Sequence, residues 1–421
     1  MRFLSARWLV LAAFLGLTPA RPAAAARPPE LAGLYRPGPR LLLDTRREAD
    51  SLRLYLRLPD ARALGPARPL RLHAWAAYEA KSPLWQDSIP RRRQQRQLDG
   101  GGGLRVSFCL ALRRLPAGVV LQIQAGEPAP DGYQAAATTA WLRLGPERLA
   151  RSFVLTDSAR LPLLRTYARA GEAFGVDCFG LYQPLRWRRY DAPTTPAPPP
   201  FAKPSALTGG PKRLALTDSG TVQPGQSLRF GLAGLYALRV GGLGGVAPAT
   251  VPVLVVAGRY PALTTAAELL EPLRYLTTSR ERAALANAPD LKRAVDKFWL
   301  NAAAGDQGRA RNLIRSFYGR VTTANELFAA HKPGYLTDQG LLYVVLGPPA
   351  GVRRLPDGEE RWYYPEGDEG LPITFGFRPR PSTFAPDYYE LVRNPEYELP
   401  WYAAVQLWRT ATTAPSGPTG R

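Results

Sequence analysis

Between residues 31 and 144 apolar and polar positions alternate in short runs. Along Ser51 to Leu58 the side chains of Leu52, Leu54, Leu56 and Leu58 share one face and Arg53 and Arg57 the other, the period-two signature of a half-buried strand. The same pattern predicts strands over 70–78, 104–112, 119–124 and 140–144, separated by turn-rich stretches such as 99–103. Short strands without a helical period predict a β-sandwich of immunoglobulin-like type. A second strand-rich region covers about 151–257, with runs at 151–155, 176–182, 185–190, 227–232, 234–240 and one ending at Ala257. Its proline-rich interruption at 193–201 favours extended polyproline conformation. That stretch reads as a long loop inside a second sandwich, or else as a domain boundary.

After Pro261 the period lengthens. Thr264 or Thr265 can cap a helix over 266–275, a second covers 280–286, and Asp290 caps a third in which Leu291, Ala294, Val295, Phe298, Trp299 and Ala302 recur at helical spacing. The longest carries Ala310, Leu313, Ile314, Phe317, Val321, Ala324 and Phe328 as one stripe of about five turns, and is stopped by His331, Lys332, Pro333 and Gly334. Strands follow at 341–346, 351–355, 359–364, 373–377 and 388–393, the second and third joined by a turn at Pro356, Asp357 and Gly358. The expected fold is multidomain: a mainly β N-terminal region of two sandwiches, then an α+β domain with helices packed on a small antiparallel sheet. The expected division is a leader over 1–26, sandwiches over 27–146 and 147–260 with a proline-rich loop at 193–204, the helical and β domain over 261–409, and a frayed tail over 410–421.

The N-terminus indicates the compartment. Arg2 and Arg7 precede an apolar run at 8–17, and the small residues at 23–26 offer a cleavage site. That run is shorter than the roughly twenty apolar residues of a membrane span, and no cysteine follows it for lipid attachment. We read an exported protein, periplasmic or extracellular, with no transmembrane anchor after leader removal. The two cysteines, Cys109 and Cys178, could pair in an oxidising compartment, but each lies in an apolar strand-like run where a small buried thiol needs no partner. The formal charge is +21, carried almost entirely by arginine. Such a balance invites nucleic acid or an acidic surface. Export argues against nucleic acid, leaving an envelope protein or anionic polysaccharide as partner, although Arg, Ala, Gly and Pro enrichment also accompanies base-composition bias. Arg91, Arg92, Arg93 and Arg96 form one basic patch, and Arg186, Arg188 and Arg189 around Trp187 another. Each is either an anion-gripping surface or a solvated face.

The densest signals lie between residues 309 and 364. Phe298 and Trp299, then Arg311 to Arg315, Phe317 to Val321, Ala324, Asn325 and Phe328, are followed by Gly334-Tyr335-Leu336-Thr337-Asp338, by Leu346-Gly347-Pro348-Pro349 and by Glu360-Arg361-Trp362-Tyr363. This ordered set resembles the GWxTD-domain proteins of Bacteroidota over about residues 266–408, with Tyr335 in place of the motif's Trp. The resemblance implies an exported protein with β-sandwich modules before the C-terminal domain. It implies no activity.

Two readings of the turn follow. In the first it is a helix-to-strand joint: Tyr335 folds on the helix, Thr337 and Asp338 accept backbone N–H groups, and Arg315 or Arg320 pairs with Asp338. In the second, Asp338, Glu360 and His331 form the carboxylates and imidazole of a hydrolase, beside Arg320 and Asn325. His331 otherwise reads as a solvated helix-end residue. The binding candidates are Arg320, Asn325, Gly334, Tyr335, Thr337, Asp338 and Trp362. Two histidines and two scattered cysteines do not build an ordinary zinc cluster, no nucleophile-elbow or Walker run is present, and Gly241 to Gly245 read as a loop. No metal or cofactor is expected, and the leading reading is a non-catalytic binding or scaffold protein.

Overall fold

The computed structural model describes residues 31–410, apart from 65–68, 127–136, 181–183, 204–210, 212, 224, 242–248 and 366–371. The leader, most of the glycine loop at 241–245 and the tail beyond 410 therefore lie outside the described residues.

The first sandwich is built from β1 (Leu42–Glu48), β2 (Ser51–Leu58), β3 (Leu70–Trp75), β4 (Trp85–Ile89), β5 (Gln95–Leu98), β6 (Leu104–Ala111), β7 (Val120–Gln124) and β8 (Thr139–Arg143). One sheet has the order β1-β2-β6-β5 and the other β4-β3-β7-β8, every pair antiparallel. The alternation of β2 is what closes it: its four leucines are at most 1 % exposed and face Leu72, Leu121 and Ile123 of the opposite sheet in one core. A short helix, α1 (Pro146–Ala150), leads to the second sandwich.

There, β9 (Phe153–Thr156), β10 (Tyr167–Arg169), β11 (Ala173–Cys178), β12 (Leu185–Tyr190), β13 (Leu216–Val222), β14 (Leu228–Arg229), β15 (Gly234–Arg239) and β16 (Thr250–Val256) make a three-stranded sheet, β14-β11-β9, facing a five-stranded one, β10-β16-β15-β12-β13. Phe153, Phe174, Tyr236, Leu238 and Val253 fill the space between them. The run expected at 227–232 pairs only over β14. Cys109 and Cys178 are free thiols, and the two sandwiches are joined by ion pairs of Arg46 with Asp177 and of Arg151 with Asp44.

The helices are α2 (Ala266–Leu270), α3 (Ser279–Ala286), α4 (Leu291–Ala302), α5 (Gln307–Phe328) and α6 (Asp338–Leu346); then come β17 (Gly351–Arg354), β18 (Glu360–Tyr364), β19 (Ile373–Pro379), β20 (Tyr389–Leu391) and α7 (Glu398–Arg409). Thr265 and Thr278 each make reciprocal capping boxes with the glutamate three residues on, and Asp290 and Asp306 cap α4 and α5. The helix expected over 266–275 tightens into a 3-10 turn from Glu271, where Pro272 removes a backbone donor. The long helix ends at Phe328, three residues before the expected stop.

Two assignments are corrected. The run 341–346 is helix α6 and not a strand, because Asp338 to Val345 are buried all round and no period distinguishes the two. Residues 398–409, for which the sequence pattern predicts no element, form α7, whose Trp401, Val405 and Trp408 make the buried stripe. The sheet β17-β18-β19-β20 packs under these helices. Its core also takes in Leu31, Ala32 and Tyr35 from the start of the described chain, Tyr78 and Val120 from the first sandwich, and Ala197 from the proline-rich stretch.

Trp408 lies edge-on to Trp299 and Phe317, and its indole N–H donates to the Val345 carbonyl at 2.9 Å. Trp408→Ala is expected to cost about 3–5 kcal/mol, read as a lower denaturant midpoint at unchanged slope.

Candidate functional site

The GYLTD turn starts from a backbone approach that only glycine permits. A Cβ on Gly334 would lie 2.0 Å from the Ala324 carbonyl oxygen, and one on Gly340 would lie 1.8 Å from that of Gly334. Helix α5, the 3-10 turn at Gly334–Leu336 and α6 are therefore stacked backbone on backbone. Asn325, fully buried, locks the stack: its side chain accepts from the Tyr335 N–H at 3.1 Å and donates to the Pro261 carbonyl at 2.8 Å. Two tyrosines complete it, Tyr260 donating to the Asn325 carbonyl at 3.1 Å and Tyr275 to the Tyr335 carbonyl at 2.8 Å.

Thr337 is the N-cap of α6. Its hydroxyl accepts from the Gly340 N–H at 3.1 Å and donates to the Gly334 carbonyl at 2.7 Å. Asp338 occupies the first helical position, where a carboxylate also complements the helix dipole. The partner of Asp338 is Arg393, just beyond β20, and neither expected cation, Arg315 or Arg320, takes that place. Tyr388 approaches the other carboxylate oxygen at 3.4 Å. Burial pushes the Asp338 carboxyl up, against the opposing pull of Arg393 and Lys332.

Arg320 works at the other end of α6. It donates to the Val345 carbonyl at 3.0 Å, lies 4.8 Å from the Trp408 ring, and is pulled down to about 10 by burial. His331 is not solvated: it is 3 % exposed, edge-on to Tyr388 at 4.9 Å, and burial with the adjacent Lys332 pulls it down to about 3.

Glu360 forms a second buried cluster. Its carboxylate accepts from the Tyr35 hydroxyl at 2.8 Å, the Gln339 amide at 3.0 Å, the Trp362 indole at 2.6 Å and the Arg354 guanidinium at 2.5 Å. Arg354 also donates to Tyr35 at 3.0 Å and lies 4.7 Å from the ring of Tyr78. Trp362, expected as a binding surface, is fully buried. Asp338 and Glu360 lie on adjacent networks through neighbouring residues 338 and 339, yet His331, Asp338 and Glu360 are 3 %, 3 % and 0 % exposed. Among the described residues all three side chains are thus almost wholly covered by the protein.

The proline-rich stretch seals the turn from outside. Ala197 N–H donates to the Leu336 carbonyl at 2.8 Å, Lys332 to the Thr195 carbonyl at 3.0 Å, Arg393 to the Pro198 carbonyl at 3.2 Å, and Asn394 N–H to the Pro200 carbonyl at 3.2 Å. Arg393, Tyr35, Arg354 and Gln339 escaped the sequence reading. Each acts on a partner far along the chain or in another element, and only buried-charge pairing, visible in three dimensions, selects them. Among the described residues no group of three or more His, Cys, Asp or Glu could hold a metal ion.

A mainly β region followed by an α+β domain is thus the class of protein that the fold defines. Residues 234–410 match the model of the GWxTD domain, and the C-terminal part of this chain is a GWxTD domain. The match begins at β15, earlier than the resemblance over 266–408 suggested, so two strands of the second sandwich fall inside it. No curated protein sequence matches the chain. Among solved structures, titin A168–A169 is similar at 11 % identity over 52 % of this chain and 96 % of that one, TM-score 0.16. DIP-gamma IG1+IG2 is similar at 13 % identity over 53 % and 99 %, TM-score 0.15. Scores this low add nothing to the strand order itself.

Asp338→Asn leaves the Arg393 guanidinium buried without a counter-charge and is expected to cost about 3–5 kcal/mol. In a cycle with Arg393→Met the double variant should lose less than the sum of the two singles, by about 1 kcal/mol or more; additive losses would show that the pair does not interact. For His331, the folded group titrates near 3 and the unfolded one near 6.5. Only the unfolded chain gains the proton between those values, so stability is full above pH 6.5 and falls as pH drops. Unfolding free energies at pH 7 and pH 5 should differ by about 2 kcal/mol more in the native chain than in His331→Gln.

Proposed function

We propose that this is an exported envelope protein, periplasmic or extracellular, that binds or scaffolds a partner without catalysis. The observation that carries the reading is the use of the motif's polar groups. Thr337, Asp338, Asn325 and Glu360 all spend their hydrogen bonds inside the molecule and are at most 3 % exposed. Groups so placed determine the shape of the domain and present nothing reactive to solvent. Function then falls to the outer surfaces of the sandwiches and helices. The charge of +21 supports an acidic partner, a polysaccharide or an envelope protein. The basic run before the apolar segment at 8–17 supports export, and no described helix is long and apolar enough to cross a membrane.

The competing reading is a hydrolase using Asp338, Glu360 and His331. Incubating the chain with envelope polysaccharide and peptide fractions separates the two. Co-sedimentation without new reducing ends or new amines is expected. Product release that disappears in a folded Glu360→Gln variant would overturn the binding reading.

A further inference from the structure

The outer face of the five-stranded sheet is divided in two. Register puts Leu185, Trp187, Tyr236, Leu238, Val251 and Val253 on the inner side, where they join the sandwich core. Their alternates form the outer face. At one end it is covered: Leu235 and Leu254 are buried and Tyr190 meets Phe384 of the C-terminal domain edge-on at 4.9 Å. At the other end it is open and cationic. Arg186 is the direct cross-strand partner of Arg239 on β15 and of Thr221 on β13, and Arg188 is the partner of Ser219. All five of these residues are exposed.

Among the described residues none of the three arginines makes an ion pair, and the one carboxylate on these strands, Asp218, falls on the opposite register. Like charges directly opposite each other on a sheet destabilise it. Arg186 and Arg239 have Cβ atoms about 4.5–5.5 Å apart by that pairing, and Arg188 follows about 6.6 Å along its strand. An arrangement that repels itself becomes favourable when an anion bridges it, and guanidinium forks match carboxylate and sulfate oxygens. The spacing is comparable with the length of a sugar ring, and Ser219 and Thr221 supply hydroxyls for sugar oxygens.

Resting on the binding reading above, we propose that this open half-face is the docking surface for an acidic polysaccharide. A protein partner would need a buried apolar or aromatic anchor, and a single-stranded nucleic acid would need a stacking platform. The face offers neither, because Trp187 is turned inward against Phe230 and Tyr236. Trp187 therefore gives the patch no stacking surface, and Arg189 turns away from it to donate to the Ala233 carbonyl at 2.9 Å.

The test is binding of polygalacturonate by the full chain, with uncharged dextran as reference. Two triple variants remove equal charge: Arg186→Gln/Arg188→Gln/Arg239→Gln on the face, and Arg91→Gln/Arg92→Gln/Arg93→Gln on the exposed turn of the first sandwich. The face variant should keep or slightly raise its melting temperature, weaken binding at least tenfold and show a shallower salt dependence, while the control weakens less than threefold. Equal weakening in both would reject this surface and leave the binding reading standing. No binding of polygalacturonate by the native chain would reject an acidic polysaccharide and leave a protein partner. New reducing ends in the native sample would reject the non-catalytic reading itself.

Discussion

A carboxylate taken out of water needs fixed donors around it, and two such groups organise this chain. Glu360 draws Tyr35 from the start of the described sequence, Arg354 and Trp362 from its own sheet and Gln339 from α6. Asp338, one residue from Gln339, draws Arg393 and, through it, the carbonyl of Pro198. Segments more than 300 residues apart in sequence are thus tied to the first turn of one nine-residue helix. Removing either carboxylate would leave cations or hydroxyls stranded in the core.

The motif's letters follow from that arrangement. Gly334 is required because the α5 backbone leaves no room for a Cβ, and Thr337 is required because the next helix begins at once and its first amides need an acceptor. Tyr335 needs only an aromatic body: it is 7 % exposed, and the hydrogen bonds at its position run through backbone atoms, from Tyr335 N–H to Asn325 and from Tyr275 to the Tyr335 carbonyl. This is why tyrosine serves where the family motif has tryptophan.

The proline-rich stretch changes role once it is seen in place. It belongs in sequence to the second sandwich, yet its carbonyls and the Ala197 amide are spent on the GWxTD turn. A polyproline-like segment suits this, since its backbone groups are not committed to a ladder and can meet a neighbouring surface at little entropic cost. Sandwich and C-terminal domain therefore share polar contacts, not merely apolar area. The surroundings also hold cations in unusual states: Lys332, donating to Thr195, is pulled down to about 8 by burial, eased by Asp338 and reinforced by Arg393.

The sequence by itself determined the strands of β2, β6 and β12, the stripe of α5 and the caps of α2 and α4, because a period of two or 3.6 and a capping side chain are local properties. It also marked the GYLTD turn as the focus of the chain. Tertiary structure decided that 338–346 is helix, since complete burial erases the amphipathic period and leaves Thr337 followed by Asp338 as the one local helix-start signal. It alone decided that Asp338 meets Arg393 and not Arg320, and that Trp187 faces inward while its neighbouring arginines face out. Pairing of buried charges depends on which surfaces are pressed together, and no local pattern along the chain records that choice.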